Sequence, residues 1–169
     1  MVALAPSDLQ PGGSREVKDG AFYCWHVYKL PQPPDRVLAA LQGDWDRWWT
    51  MGKRVGVATD AQGVTRWKFI PVKPTASMVW FNITMQPPRV ENGPGGRPEK
   101  IVLAMAFDGA CKGPGRYEIF AAPDGGTLLR GSWDGVTPQG WRRLAPGMLG
   151  LIHVLVESRA VANLARLSA

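Results

Sequence analysis

His153 and Glu157 stand four residues apart in HVLVE, within a stretch whose apolar residues recur every three or four positions. On a helix that spacing puts the imidazole and the carboxylate on adjacent turns of one side. A histidine beside a carboxylate can hold a proton near neutral pH and pass it on as acid or base. The same spacing also describes a helix-surface pair that caps an apolar face, and the residue types alone leave both readings open. A second pair, Cys24 and His26, lies two residues apart in AFYCWHVYKL. On a strand the two side chains share a face, where a thiol and an imidazole could make a nucleophile and its base. The commoner arrangement is a buried thiol beside a hydrogen-bonded histidine. The 2 Cys and 2 His of the chain lack the paired spacing of a zinc site, so no metal is expected.

Other patterns carry less. Asp44 and Asp46 are two apart on a short helix and do not face each other, which removes a hydrolytic carboxylate pair. Gly93-Pro94-Gly95-Gly96 and Gly113-Pro114-Gly115 precede strands rather than helix N-termini, so neither is a phosphate-binding loop. No Ser-His-Asp order with an elbow motif occurs, and no cofactor is expected.

The elements that would position these groups follow from periodicity. Residues 1–18 have none and read as a flexible leader, followed by a single domain over 19–169. Ala21 to Leu30 is a strand that Pro31, Pro33 and Pro34 stop. Pro34 opens a short helix to Leu41, Gly43 ends it, and Asp44 caps a second one through WDRWWTM. Six more strands are expected, at 55–59, 64–70, 78–85, 101–107, 117–121 and 127–133. Asp60 to Gly63 and Pro123 to Gly126 supply hairpin turns, and Gly113-Pro114-Gly115 marks another. From Pro146 to Leu167 one long amphipathic helix is expected. The class is therefore α+β, a curved antiparallel seven-stranded sheet with two short helices after the first strand. The long C-terminal helix covers one face of it.

Alternation identifies the covered face. Arg66 and Lys68 point out, so Trp67 and Phe69 point in. Val79, Phe81, Ile83 and Met85 form one apolar set, and Ile101, Leu103, Met105 and Phe107 another. Arg130, Ser132 and Asp134 point out, leaving Leu129 and Trp133 inside. Lys29 turns one side of the first strand outward and leaves Cys24 and His26 inward. On the long helix Ile152 and Val156 lie in the apolar sector, His153 at its edge, and Asn163 within it, placed to orient a ligand or to bond a neighbouring loop. These faces are either core or the walls of a pocket. As a pocket, its ligand contacts are Trp49, Trp67, Phe69, Phe81, Ile83, Met105, Phe107, Trp133, Ile152 and Val156, with His153 and Glu157 as the acid–base pair.

Composition bounds the rest. At 169 residues and 45% apolar the chain can build one core, and its 20 Gly and 15 Pro suit a turn-rich sheet. The net charge of +6 is concentrated in the middle, at Lys53, Arg54, Arg66, Lys68 and Lys73. That patch is a solvated face, or a surface that attracts nucleic acid or an acidic partner. Nucleic acid is the less expected occupant, because no run of five basic residues occurs and no basic and aromatic surface motif supports sequence-specific reading. The start of the chain lacks a basic and then apolar leader, and the apolar run Met148 to Val156 is too short to span a bilayer. The expectation is a cytoplasmic protein with two free thiols and no transmembrane segment. The Asn82-Ile83-Thr84 sequon falls inside a strand.

Four segments carry a family likeness: LPQPPDRVLAAL (30–41), DWDRWW (44–49), GPGRYEIFAAPDGGTLLRGSWDG (113–135) and HVLVESRAVANLARL (153–167). In these the chain, over roughly 20–168, resembles the START-like (SRPBCC) superfamily, within it the polyketide cyclase/dehydrase and lipid-transport group. The resemblance implies a helix-grip fold with a deep hydrophobic cavity. It also implies binding of a polyketide- or lipid-like molecule between sheet and helix, or cyclase/dehydratase chemistry in that cavity. A basic-surface interaction module is the remaining reading.

Overall fold

The structure is a computed structural model and describes residues 9–43, 45–71, 80–92, 98–140 and 146–168. In chain order the elements are β1 (Gly12–Lys18), β2 (Ala21–Leu30), α1 (Pro34–Gly43), α2 (Trp45–Trp48), β3 (Gly52–Thr59), β4 (Thr65–Pro71), β5 (Phe81–Met85), β6 (Arg89–Asn92), β7 (Pro98–Gly109), β8 (Cys111–Ala121), β9 (Thr127–Pro138) and α3 (Pro146–Leu167). The strands form one antiparallel sheet in the order β1-β2-β9-β8-β7-β5-β4-β3, with β6 pairing β7.

Among the described residues the sheet has nine strands rather than the expected seven. One addition is β1, in GGSREVK, from the stretch read as leader. All of its residues are exposed, so it has no apolar period to betray it; backbone pairing with β2 from Gly12↔Val27 to Lys18↔Ala21 makes it a strand. The other is β6, only four residues long. Gly113-Pro114-Gly115 is corrected as well. It lies inside β8 at a register shift, and the β7–β8 turn falls at Gly109-Ala110 instead. Gly115 is needed for space, since a Cβ there would stand 2.5 Å from the Phe107 ring and 3.2 Å from that of Trp133. Asp44, Lys73, Met78, Val79 and Gly93 to Gly96 lie outside the described residues.

The expected turns form by side-chain capture. Asp60 accepts from the amides of Gln62 and Val64 at 3.1 and 3.0 Å, and Gly63 takes the left-handed φ of 79° that closes the loop. α1 starts at Pro34, whose missing N–H costs nothing in a first turn. It buries Val37, Ala40 and Leu41, one face at helical spacing. α2 buries Trp45 and Trp48.

α3 buries His153, Glu157, Ala160, Val161 and Leu164 along the side that meets the rest of the fold. It packs on α1 and α2, and it also touches β2, β9 and β1. Asn163 ties it to the loop after α2, donating to the Trp48 carbonyl at 3.2 Å and to Thr50 Oγ1 at 3.3 Å. Of its two expected roles, the loop contact is the one seen. Gln32 donates to the Ala165 carbonyl at 2.6 Å and fixes the helix end to the β2–α1 connection. The main core lies between the sheet and the helices. A smaller cluster of Leu9, Val27, Phe120, Ala122 and Leu128 covers part of the outer sheet face.

Candidate functional site

The alternation argument places the inward residues correctly. Trp67, Phe69, Ile83, Met105 and Phe107 are buried in the main core, and Trp49, Phe81 and Trp133 pack against it half-buried. Val156 is half-buried on α3, and the side chain of Ile152 lies outside those described. Five of these residues form a chain of touching rings. Trp49 meets Phe69 at 6.2 Å between centroids, Phe69 stacks on Phe81 at 5.9 Å, and Phe81 meets Phe107 at 6.3 Å. Phe107 then meets Trp133 at 5.0 Å, and Trp133 lies 3.9 Å from the ring of His153. At the α2 end, Trp45 contacts Trp48 at 4.6 Å and Trp67 at 5.1 Å. The indole N–H groups of Trp45, Trp48 and Trp67 are buried and reach no acceptor among the described residues. Buried donors are normally paired, so three in one region call for an explanation.

The ring chain ends on a polar cluster. His153 and Glu157 are neighbours as the i, i+4 spacing requires, with Nε2 3.0 Å from Oε2. His26, from β2, adds what the spacing alone did not foretell: its Nδ1 lies 3.2 Å from the same carboxylate oxygen. Glu157 is only 1% exposed. Burial by itself would push its carboxyl up, but the contacts from His153 and His26 outweigh this and hold it down at about 2. It is therefore an anion inside the fold.

Two glycines make room for the cluster. A Cβ at Gly131 of β9 would overlap the Glu157 carboxylate and come within 3.1 Å of the Tyr117 ring. A Cβ at Gly13 of β1 would overlap the His26 imidazole, with its Nε2 at 2.9 Å. Cys24 is inward and buried, as Lys29 on the opposite face implies. Burial pushes its thiol up to about 12; a hydrogen bond with the Trp133 backbone opposes this, and the charge of Glu157 adds to it. Burial and the same carboxylate keep the hydroxyls of Tyr28 and Tyr117 protonated, well above their ordinary value. Cys24 and Cys111 are both buried, and neither is in a disulfide.

The outer face is built differently. Glu118, 3% exposed, is ringed by Lys100 at 2.7 Å, Arg130 at 3.4 Å and Arg116 at 3.8 Å. A depression of about 290 Å³ lies beside it, lined among others by Glu16, Tyr23, Trp25, Arg116, Arg130 and Asp134. The basic patch of the sequence is partly neutralised: Arg54 pairs with Asp46 at 3.3 Å and Arg66 with Asp60 at 2.7 Å. Lys68 lies over the Trp80 ring. Among the described residues, no helix is long and apolar enough to cross a membrane.

Among the described residues, a nine-stranded antiparallel sheet, two short helices between β2 and β3 and a long C-terminal helix packed against them make an α+β fold of helix-grip type. Solved structures agree. The lipid transfer and protein localization domain of human StarD13 superposes with a TM-score of 0.63 at 13% identity, over 89% of this chain and 79% of that one. A Thermus thermophilus protein gives 0.62 at 10% identity, over 85% and 94%. A Staphylococcus aureus protein of unknown function gives 0.59 at 9% identity, over 94% and 95%. At such identities the likeness establishes the fold, and fold alone does not assign chemistry. No protein-family profile and no curated protein matches the sequence.

Proposed function

We propose that the protein binds an oxygen-bearing apolar molecule, polyketide- or lipid-like, between the sheet and α3. The observation that carries this reading is the chain of rings from Trp49 to Trp133 that ends on a buried, charged cluster. Aromatic walls with a few convergent polar groups are what small-molecule sites are made of. His26, Glu157 and His153 would grip the polar end of the ligand. The unpaired indole N–H groups of Trp45, Trp48 and Trp67 would donate to its oxygens. The StarD13 domain, described as a lipid transfer domain, shares this architecture. Tryptophan fluorescence tests the reading, because the candidate walls are indoles. Titration with long-chain fatty acids and with planar polyphenols should give saturable quenching with at least one class, weakened in Phe81→Ala. A response that never saturates with either class contradicts it.

A second reading is favoured by one specific contact, the His153–Glu157 pair facing the Trp133 ring. There the imidazole would move a proton in a cyclisation or dehydration while Glu157 holds its orientation. His153→Ala would then abolish turnover while leaving ligand binding measurable. Turnover that survives that substitution rules the reading out.

A further inference from the structure

The sequence offers no paired zinc spacing, yet the fold assembles a ligand set from separate elements. One nitrogen each of His26 and His153 and the sulfur of Cys24 lie within 4.8 Å of one another. We propose that Cys24, His26 and His153 bind a divalent transition-metal ion of the zinc class, with Glu157 holding the two imidazoles. The proposal goes beyond apolar-ligand binding and does not depend on it.

Four features support it. The donors are one sulfur and two imidazole nitrogens, the soft-to-borderline set that zinc takes in preference to calcium or magnesium. A tetrahedron built on bonds of roughly 2.0–2.3 Å has edges of about 3.5 Å. Side-chain rotations closing the present separations by about an ångström would reach it. Next, the polar atoms of the cluster are poorly satisfied. His26 Nδ1 and Glu157 Oε2 are buried and only 3.2 Å apart, yet neither makes an aligned hydrogen bond. Third, Glu157 touches both rings, as the carboxylate behind metal-bound histidines regularly does. Finally, the charges close. One divalent cation, one thiolate and one carboxylate sum to zero, with both imidazoles neutral, which suits a buried site.

Binding would release the Cys24 proton to solvent as the sulfur–metal bond forms, the ion supplying the positive charge that the apolar surroundings lack. Three protein ligands leave one tetrahedral position for water or for an oxygen of a bound molecule. In the metal-loaded protein His153 is a ligand and no longer a proton carrier.

Cobalt(II) reports such a site directly. The full-length protein, stripped with chelator and titrated with Co²⁺, should develop a thiolate-to-cobalt charge-transfer band at one equivalent, and Zn²⁺ should bleach it. Cys24→Ser should lose the band, while Cys111→Ser, which alters the other buried thiol, should keep it. Glu157→Gln should keep the band and weaken binding by roughly 10–100-fold. Circular dichroism of each variant checks folding. No band in the wild type, or a band that survives Cys24→Ser, overturns the proposal. Fluorescence titration of the stripped protein tests apolar-ligand binding independently of that result.

Discussion

Among the described residues, one glutamate is buried on each side of the sheet, and the two are held in opposite ways. On the outer face, Glu118 is surrounded by Lys100, Arg116 and Arg130, whose side chains stay 19–32% exposed. They are charged at neutral pH and their stems are flexible. Under α3, Glu157 meets two short, stiff imidazoles from different elements, seated over Gly13 and Gly131, with a thiol nearby. The outer cluster can relax toward water if one member is lost, and the inner one cannot. The outer group therefore suits a structural tie between β7, β8 and β9, and the inner group suits a site that holds something.

Substitutions can break this contrast. Glu157→Ala should have the largest effect, about 3 kcal/mol in urea unfolding, because it opens a cavity and strips the buried His153 and the half-buried His26 of their partner. Gly131→Ala should cost about 2 kcal/mol, since a Cβ on a central strand displaces the carboxylate. It should also shift both histidine ring signals in NMR, a change that simple loss of packing elsewhere would not produce. Glu118→Ala should cost only about 1 kcal/mol, as its cations turn to solvent. That penalty should shrink in molar salt, where screening reaches down to about 3 Å, while the Glu157 penalty stays. A larger loss at Glu118 than at Glu157 would erase the distinction.

The smallest effect is one of pH. Burial would raise the Glu91 carboxyl, but Lys100 and Arg89 overcome this and lower it. The favourable contribution is therefore present above its ordinary 4.5 and fades as pH falls through the lower folded value. Burial would lower Lys100, but Glu118 and Glu91 more than compensate and raise it. Its contribution holds below the ordinary 10.5 and is lost as pH rises through the higher folded value. Lys100→Ala should move the Glu91 titration back toward its ordinary value, read by carboxyl NMR.

Much of this arrangement is legible in the residues. Arg66 and Lys68 turn Trp67 and Phe69 inward, and Lys29 does the same for Cys24 and His26, because a half-buried strand cannot put its charges on the covered side. The i, i+4 spacing gives the His153–Glu157 contact for the same local reason. The meeting of His26 with Glu157 is not legible, since it depends on where α3 crosses β2, a tertiary fact. Nor is β1, an edge strand of exposed residues paired along its backbone with β2. The shape of Gly115 misleads in another way, as a glycine chosen for space under Phe107 looks in sequence like one chosen for a turn.

Native mass spectrometry of the protein purified without detergent tests the central claim most directly. The account predicts a bound species of apolar, oxygen-bearing character that leaves on denaturation and is depleted in Glu157→Ala. A bare polypeptide mass in the wild type, together with fluorescence that never saturates with fatty acid or polyphenol, would contradict it.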